Sequence, residues 1–322
     1  MKRIALIFAA AIACVAAMAQ EVQGYGVVRI SVCNMRRTPD FDAEMVSQAL
    51  LGTPVHILKI NEDNGWPLIQ TPEGYTGWVH RAGIKILPKE EYSGWNAAEK
   101  AVVTSLTGLV KAKPSRKSAT VSDIVGGDRL AFLGSKGSWL KVGFPDGREG
   151  WVRDKDAQRE RTWLRKVDRS PEAILRTALS MNGFPYLWAG MSPKGMDCSG
   201  FVRATLAMHG IIIPRDASQQ APKGERIAIA PDFSNLRPAD LLFFGRKGRD
   251  GAPDRVSHVA FYLGGRRFIH SLGLVTVASM DPEDPDYDAY NTGRMLFASR
   301  ILPYIDRQEG LSTFETNPYY NE

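Results

Sequence analysis

The chain has 322 residues, enough for about two average domains or for more if some are small. Hydrophobic residues make up 44% and charged residues 24%, a globular composition that excludes a disordered chain. Three cysteines exclude a disulfide-dense scaffold, and a net charge of +6 from interspersed basic and acidic residues gives no sign of a nucleic-acid partner.

The N-terminal segment has the pattern of a secretory signal peptide. Lys2 and Arg3 form its charged start, residues 4–15 are apolar, and residues 17–19 form a small-x-small cleavage site. The apolar stretch is shorter than the roughly 18 residues that span a bilayer, so we expect no stable membrane span. We expect residues 1–19 to be removed and the mature protein to be periplasmic or extracellular.

The cysteines leave two alternatives open. Cys14 permits a lipoprotein anchor, although Ala11 stands where such signals usually have leucine. Without the signal peptide only Cys33 and Cys198 remain, and two cysteines in an exported protein can form one disulfide. We expect Cys198 to be a free thiol instead, because its surroundings suit a nucleophile.

An internal repeat follows the signal peptide, with an offset of 73 residues. Gly77-Trp78-Val79 recurs as Gly150-Trp151-Val152, and a tryptophan precedes both copies. Each copy consists of short apolar runs separated by turn residues, which is typical of small β-barrels. The motif resembles the bacterial SH3-like (SH3b) module, which commonly binds cell-wall material or packs against a catalytic domain. We predict two such domains, residues 20–90 and 100–157.

A charged, polar stretch at residues 158–170 precedes a third domain. Ser170 followed by Pro171 predicts a helix start, with serine as N-cap and proline at the first helical position. We assign residues 165–308 to this domain and residues 309–322 to a C-terminal tail.

Residues 197–210 form the most informative stretch. Their apolar positions follow a helical period, and Asp197 stands at the N-cap position, which places Cys198 in the first turn. The dipole and free N–H groups of a helix start lower the pKa of a thiol. We therefore expect Cys198 to be a nucleophile with a depressed pKa, the alternative being a buried structural cysteine.

Two of the five histidines can supply a base. His258 and His270 lie in two predicted strands, residues 256–263 and 267–271, joined by a Gly-Gly turn. Because strand side chains alternate between faces, a plain two-residue turn would place the two rings on opposite faces. We predict a bulge or a longer loop that sets Ala260 opposite His270. The other histidines are expected to be structural: His56, His80 and His209.

Together these stretches resemble the NlpC/p60 family of papain-like cysteine peptidases. Residues 183–190, 214–218 and 236–244 also match motifs of that family, and the resemblance covers about residues 171–303. The family usually has glycine where Ala239 stands, a departure that concerns only the local backbone. The expected fold class is therefore α+β, a papain-like cysteine peptidase domain preceded by two small SH3-like β-barrels.

The resemblance implies catalytic roles. Cys198 would be the nucleophile, His258 the general base and acid, and His270 the group that orients His258. The oxyanion hole would use the backbone N–H of Cys198 and the Tyr186 hydroxyl.

The resemblance also implies a substrate. Family members hydrolyse peptidoglycan stem peptides, typically between γ-D-glutamate and a diamino acid. Two SH3-like domains ahead of the peptidase resemble a recycling subfamily that requires a free N-terminal L-alanine. Asp197, Ser199 and Ser218 would line the pocket for this amine. Glu44 and Tyr75 of the first SH3-like domain would reach it as well.

We therefore expect an exported γ-D-glutamyl-L-diamino acid peptidase whose partner is a stem peptide. One alternative is an endopeptidase or amidase acting on intact peptidoglycan, and another is a non-enzymatic wall-binding protein. The sequence contains no metal-ligand cluster, phosphate loop or dinucleotide fingerprint, so no metal or cofactor is expected. The diamino acid is left open, and for the oligomeric state a monomer is expected.

Overall fold

The computed structural model describes residues 21–322, so the predicted signal peptide and Cys14 lie outside the described residues. Three main antiparallel sheets dominate this part of the chain, and its helices are short. No helix among the described residues is long and apolar enough to cross a membrane.

The first repeat forms a seven-stranded antiparallel sheet with the strand order β3-β2-β6-β5-β4-β1-β7. Its strands are β1 Gly24–Val28, β2 Val32–Arg36, β3 Met45–Leu50, β4 Pro54–Ile60, β5 Pro67–Gln70, β6 Thr76–Val79 and β7 Ile84–Leu87. A short 3-10 turn, Arg81–Gly83, precedes β7. Alternating side chains such as Met35, Ile69 and Val79 fill the core of this sheet. The helix α1, Lys89–Ala97, leads to the second repeat.

The second repeat forms a sheet with the equivalent order β10-β9-β13-β12-β11-β8-β14, in which each strand number is raised by seven. Its strands are β8 Lys100–Val103, β9 Thr107–Lys111, β10 Thr120–Val125, β11 Arg129–Lys136, β12 Trp139–Gly143, β13 Glu149–Arg153 and β14 Ala157–Arg159. The same topology in both sheets confirms the internal repeat. The strands around both Gly-Trp-Val motifs also fall where the sequence predicts them.

The third domain is built on a six-stranded sheet with the order β18-β23-β19-β20-β21-β22. Its strands are β18 Glu225–Ile227, β19 Leu241–Arg246, β20 Arg255–Gly264, β21 Arg267–Leu272, β22 Leu274–Ser279 and β23 Met295–Arg300. Two small ribbons pair β15 Met191–Ser192 with β16 Gly195–Met196, and β17 Ile211–Ile212 with β24 Ser312–Thr313. The helices are α2 Glu160–Leu164, α3 Pro171–Ser180, α4 Cys198–Ala207, α5 Ala217–Gln220 and α6 Ala289–Thr292. Two 3-10 turns are Leu302–Tyr304 and Pro318–Tyr320.

Helix α4 packs against the six-stranded sheet, and this packing fixes the position of the first turn of the helix. The predicted N-caps are confirmed, since Ser170 accepts a hydrogen bond from a backbone N–H of α3 and Asp197 accepts one from the Gly200 N–H. On the buried face of α4, Phe201 meets Phe261 of β20 edge to face, with ring centres 5.9 Å apart. The start of α4 therefore lies directly over strands β20 and β21.

The hairpin of β20 and β21 contains the bulge that the sequence requires. Phe261 pairs with Ile269, and the register shifts by one residue at Leu263. The turn residues are Gly265 and Arg266, both with positive φ, rather than the Gly-Gly pair expected. The bulge thus sets the register that brings both histidine rings to one face.

Ala239 adopts φ +67°, a left-handed conformation that favours glycine. The backbone N–H of this buried residue donates to the Tyr262 carbonyl at 2.9 Å, which holds the turn before β19 in place. We expect Ala239→Gly to raise the free energy of unfolding by about 0.5–1 kcal/mol, because it removes strain in the left-handed region. Urea unfolding measures this change, and a destabilised variant would contradict it.

The first sheet packs directly on the third domain. The Met191 N–H donates to the Gln48 side chain at 2.9 Å, and the Arg203 guanidinium pairs with the buried Glu73 carboxylate at 2.7 Å. The segment assigned as a C-terminal tail is part of this assembly, because the Tyr319 hydroxyl donates to Gln70 of β5 at 2.6 Å. These contacts hold one edge of the first sheet beside the start of α4.

Candidate active site

A cleft of about 360 Å³ lies between the first sheet and the third domain. Eight of the nine site residues expected from the sequence line it: Glu44, Tyr75, Tyr186, Asp197, Cys198, Ser199, Ser218 and His258. The ninth, His270, lies behind His258. The fold therefore brings together residues that are more than 200 positions apart in the chain.

Cys198 is the first residue of α4, and the backbone N–H groups of Ser199 and of Val259, the residue after His258, lie near its sulfur. Burial, together with the nearby Asp197 carboxylate, raises the pKa of the Cys198 thiol to about 11. The expectation of a depressed thiol pKa is therefore wrong. Desolvation outweighs the helix start, and the thiol is neutral until a base removes its proton.

Cys33 and Cys198 are both free thiols. The expected absence of a disulfide between them is confirmed, since Cys33 lies in β2 of the first sheet. Complete burial raises the pKa of the Cys33 thiol to about 12, so it has no chemical role in the cleft.

His258 and His270 form a hydrogen-bonded pair, with His258 Nε2 and His270 Nδ1 2.9 Å apart. When His258 Nε2 carries the hydrogen of this bond, its Nδ1 is left with a free lone pair. Burial lowers the pKa of His258 to about 3 and that of His270 to about 4. Both rings are therefore neutral at pH 7, and the free lone pair of His258 Nδ1 is available as a hydrogen-bond acceptor.

The low histidine pKa values predict a loss of stability in mild acid. Between pH 6.5 and about 4 the unfolded chain binds protons that the folded pair does not, so stability falls as pH decreases. We expect His270→Gln to reduce the slope of unfolding free energy against pH by up to about 1.4 kcal/mol per pH unit. Urea unfolding at several pH values tests this. Equal slopes for the two proteins would contradict it.

The raised pKa of Cys198 predicts the pH dependence of its alkylation. Because only the thiolate reacts, the rate with iodoacetamide should rise about tenfold per pH unit between pH 6 and pH 9. Mass spectrometry of the native protein should find the label on Cys198 and not on the fully buried Cys33. A rate that is already constant below pH 7 would show a preformed thiolate.

Asp197 is held by a buried arginine that the sequence analysis missed. Arg215 donates to both carboxylate oxygens of Asp197, at 3.1 and 2.7 Å, and to the Ser199 hydroxyl at 2.9 Å. Only 1% of the Arg215 side chain is exposed, so this ion pair is a fixed part of the cleft wall. The matched motif at residues 214–218 contains Arg215, but nothing in the local sequence says which carboxylate it meets.

On one side the cleft is lined by residues of the first sheet and its loops, among them Glu44 and Tyr75. The exposed Trp188 donates its indole N–H to the Glu44 carboxylate at 3.1 Å, and Arg37 pairs with the same carboxylate at 2.7 Å. The Tyr75 hydroxyl lies beside the Asp216 carboxylate, and burial together with this carboxylate raises the pKa of Tyr75 to about 12. This end of the cleft is therefore lined with acceptors, and the sequence analysis missed the parts played by Trp188 and Asp216.

Tyr186 and Ser218 occupy different parts of the cleft wall. Burial, with Asp197 and Cys198 nearby, raises the pKa of Tyr186 to about 12, so its hydroxyl stays protonated and can donate a hydrogen bond. Ser218 is exposed at the rim, on the short helix α5.

The three remaining histidines lie outside the cleft. His209 contacts the Asp168 carbonyl at 2.6 Å and the Thr177 hydroxyl at 2.9 Å. His56 stacks on Tyr319, and His80 caps the 3-10 turn before β7. The prediction that these three are structural agrees with their positions. Within residues 21–322 no group of three or more His, Cys, Asp or Glu side chains is placed to hold a metal ion.

A buried cysteine at a helix start beside two hydrogen-bonded histidines defines the site of a cysteine hydrolase. Comparison with known families agrees with this class. Residues 183–292 match the NlpC/P60 family, residues 35–84 the bacterial dipeptidyl-peptidase Sh3 domain, and residues 108–157 the bacterial SH3 domain.

Sequence similarity to known proteins extends over most of the chain. The γ-D-glutamyl-L-lysine dipeptidyl-peptidase of Bacillus cereus is 30% identical over 71% of this chain and 67% of its own length. Dipeptidyl-peptidase 6 of Lysinibacillus sphaericus is 30% identical over 81% of this chain and 93% of its own length. The crystal structure of an NlpC/P60 family protein from Bacillus cereus superposes with a TM-score of 0.71 at 24% identity, covering 87% of this chain and all of that chain.

The chain belongs to the NlpC/P60 family of cysteine peptidases and carries two bacterial SH3-like domains before its peptidase domain. The α+β fold class predicted from the sequence is thereby confirmed.

Proposed function

We propose that this peptidase is exported and cleaves the bond between γ-D-glutamate and an L-diamino acid in peptidoglycan stem peptides that have a free N-terminal L-alanine. The observation that carries the proposal is the position of Glu44 and Tyr75, which extend from the first sheet into the cleft that contains Cys198. A carboxylate and a hydroxyl on the first-sheet side of the cleft suit a short substrate that ends in an ammonium group. The Bacillus cereus relative is a γ-D-glutamyl-L-lysine dipeptidyl-peptidase, which supports the same bond, and the Lysinibacillus sphaericus relative is also a dipeptidyl-peptidase.

In the proposed mechanism His258 removes the proton from Cys198 as the sulfur attacks the γ-carbonyl carbon of D-glutamate. The carbonyl oxygen becomes an oxyanion that the Cys198 N–H and the Tyr186 hydroxyl stabilise, and one such donor is typically worth about 3 kcal/mol. His258 then gives its proton to the amine of the leaving diamino acid. Water, deprotonated by His258, hydrolyses the thioester and regenerates the thiol.

His270 acts through His258 in this scheme. It fixes the plane and the tautomer of the His258 ring through the 2.9 Å hydrogen bond, and its burial excludes water from that bond. His270 also shares the positive charge that forms on His258 during the reaction.

The charge balance at the end of the cleft near Glu44 supports amine recognition. Three carboxylates, those of Glu44, Asp197 and Asp216, line this end, while two guanidiniums, those of Arg37 and Arg215, pair with the first two. Burial raises the pKa of Asp216, although the Arg215 charge nearby lowers it, and no guanidinium pairs directly with this carboxylate among the described residues. An ammonium group supplies the missing charge.

An endopeptidase of intact wall would need a cleft open at both ends, because the stem continues into the glycan strand. The first sheet is held against the third domain by the Gln48 and Glu73 contacts, and in the proposed binding mode it stands in the path of the glycan strand, which favours free stem peptides. The test is product analysis of purified enzyme given free L-Ala-γ-D-Glu-diamino acid and intact sacculi in parallel, with Cys198→Ala as control. Release of L-Ala-γ-D-Glu from the free tripeptide alone supports the proposal. Cleavage confined to sacculi refutes it.

A further inference from the structure

We propose that Arg294 binds a carboxylate of the leaving diamino acid and thereby determines which leaving groups the enzyme accepts. The inference rests on the proposed function and concerns the opposite side of the cleft from the amine pocket. Arg294 lies between α6 and β23 and lines the cleft together with Cys198 and His258.

The guanidinium of Arg294 is held rigidly in place. Its Nε and Nη2 donate to the Asn291 side-chain oxygen at 3.0 and 2.7 Å, and its Nη1 donates to the Ser257 hydroxyl at 3.0 Å. Asn291 is completely buried and bonded to Asp288, so the anchor itself is fixed. The guanidinium also lies over the Tyr290 ring, 4.6 Å from its centre. Such an arginine is preorganised for a ligand.

These contacts leave part of the guanidinium unused. Of its five N–H groups three are engaged, and no carboxylate among residues 21–322 lies within 4.0 Å of it. Arg37, the other arginine that lines the cleft, has its carboxylate partner in Glu44 at 2.7 Å. Arg294 thus presents an uncompensated positive charge with free donors, and a carboxylate is the group that matches it.

The position of Arg294 relative to His258 assigns it to the leaving group. The general acid must stand next to the nitrogen that it protonates, so the leaving amine lies over His258. Arg294 bonds Ser257, the neighbour of His258 in β20, and lies near both histidine rings. The amine pocket of Glu44 and Tyr75 belongs to the opposite, first-sheet side of the cleft. Arg294 therefore faces the departing amino acid.

The leaving diamino acid can offer either of two carboxylates to the Arg294 guanidinium. One is its α-carboxylate, which is free only when the stem ends at that residue. The other is the distal carboxylate that diaminopimelate carries and lysine lacks. The first source would select tripeptides over longer stems, and the second would select diaminopimelate over lysine.

The experiment compares four tripeptides: L-Ala-γ-D-Glu-L-Lys, its C-terminal amide, L-Ala-γ-D-Glu-meso-diaminopimelate and the same peptide amidated at the distal carboxylate. We expect amidation of the bound carboxylate to raise KM and to lower kcat/KM at least about tenfold in the wild type. In Arg294→Gln this difference should fall below about twofold. The lysine amide reports the α-carboxylate, and the diaminopimelate amide reports the distal one.

Arg37→Gln is the matched control, because it removes a cleft arginine at the other end and should leave the amide discrimination unchanged. If Arg294→Gln slows all four peptides equally, Arg294 is only a structural support for Ser257 and the proposal fails. Wild-type cleavage that is insensitive to both amidations also refutes it, while the proposed function stands. Failure of the wild type to cleave any of the four would instead refute the proposed function, and this inference with it.

Discussion

We expect Cys198→Ala to abolish hydrolysis of the tripeptide and His258→Ala to lower kcat/KM by about 10⁴-fold or more. Alanine at position 198 keeps the Asp197 cap and the helix but removes the only cleft atom able to form the thioester. Without His258, a thiol with a pKa of about 11 gives almost no nucleophile at pH 7. Chromatography of released L-Ala-γ-D-Glu gives the rates, and circular dichroism with urea unfolding tests the fold.

The control is Cys33→Ala, which removes the other buried thiol from the core of the first sheet. It should cost stability through lost packing and leave the rate per folded molecule unchanged. The double variant of Cys198 and His258 should be no slower than Cys198→Ala, since residues that act as a unit are not additive. Substantial activity in a folded Cys198→Ala protein would remove the thiol from the mechanism.

Local signals in the sequence were sufficient to predict the secondary-structure elements around the nucleophile. An N-cap depends on one side chain and the next few backbone groups, so Ser170 and Asp197 could be placed from short stretches. The hairpin bulge was also predictable, because alternation of side chains along a strand allows His258 and His270 to meet in only some registers. The exact turn residues were not predictable, because Arg266 takes a positive φ that sequence rules give to glycine.

Rules based on local sequence could not predict the contacts between distant segments. Nothing near Arg215 in the sequence indicates that it meets Asp197, and nothing near Arg294 indicates that its carboxylate partner is missing. The thiol pKa was predicted in the wrong direction because burial depends on the whole fold, whereas the helix start is local. Glu44 and Tyr75 were singled out only through the resemblance to a family, and their position in the cleft required the folded structure.

N-acetylation of the tripeptide should lower kcat/KM by on the order of a thousand-fold. In the proposed binding mode acetylation removes the positive charge that Glu44, Asp216 and the Tyr75 hydroxyl receive, and it adds bulk against the first sheet. Partly buried acceptors that lose their partner cost several kcal/mol in total. The measurement is kcat/KM for the free and the acetylated tripeptide. Near-equal values would refute amine recognition and favour an endopeptidase of intact wall, where the stem alanine is amide-bonded.

Glu44→Gln separates a binding role from a structural one. The amide oxygen can still accept the Trp188 N–H, so the loop geometry is preserved while the negative charge is lost. We expect the variant to slow only the free tripeptide, by about ten- to a hundredfold, and so to narrow the difference between the two substrates. Arg37→Gln removes the cation that competes for Glu44 and should not weaken the preference for the free amine. If Glu44→Gln slows both substrates equally, Glu44 only supports the wall of the cleft, and the ammonium is held by Asp216 and Tyr75.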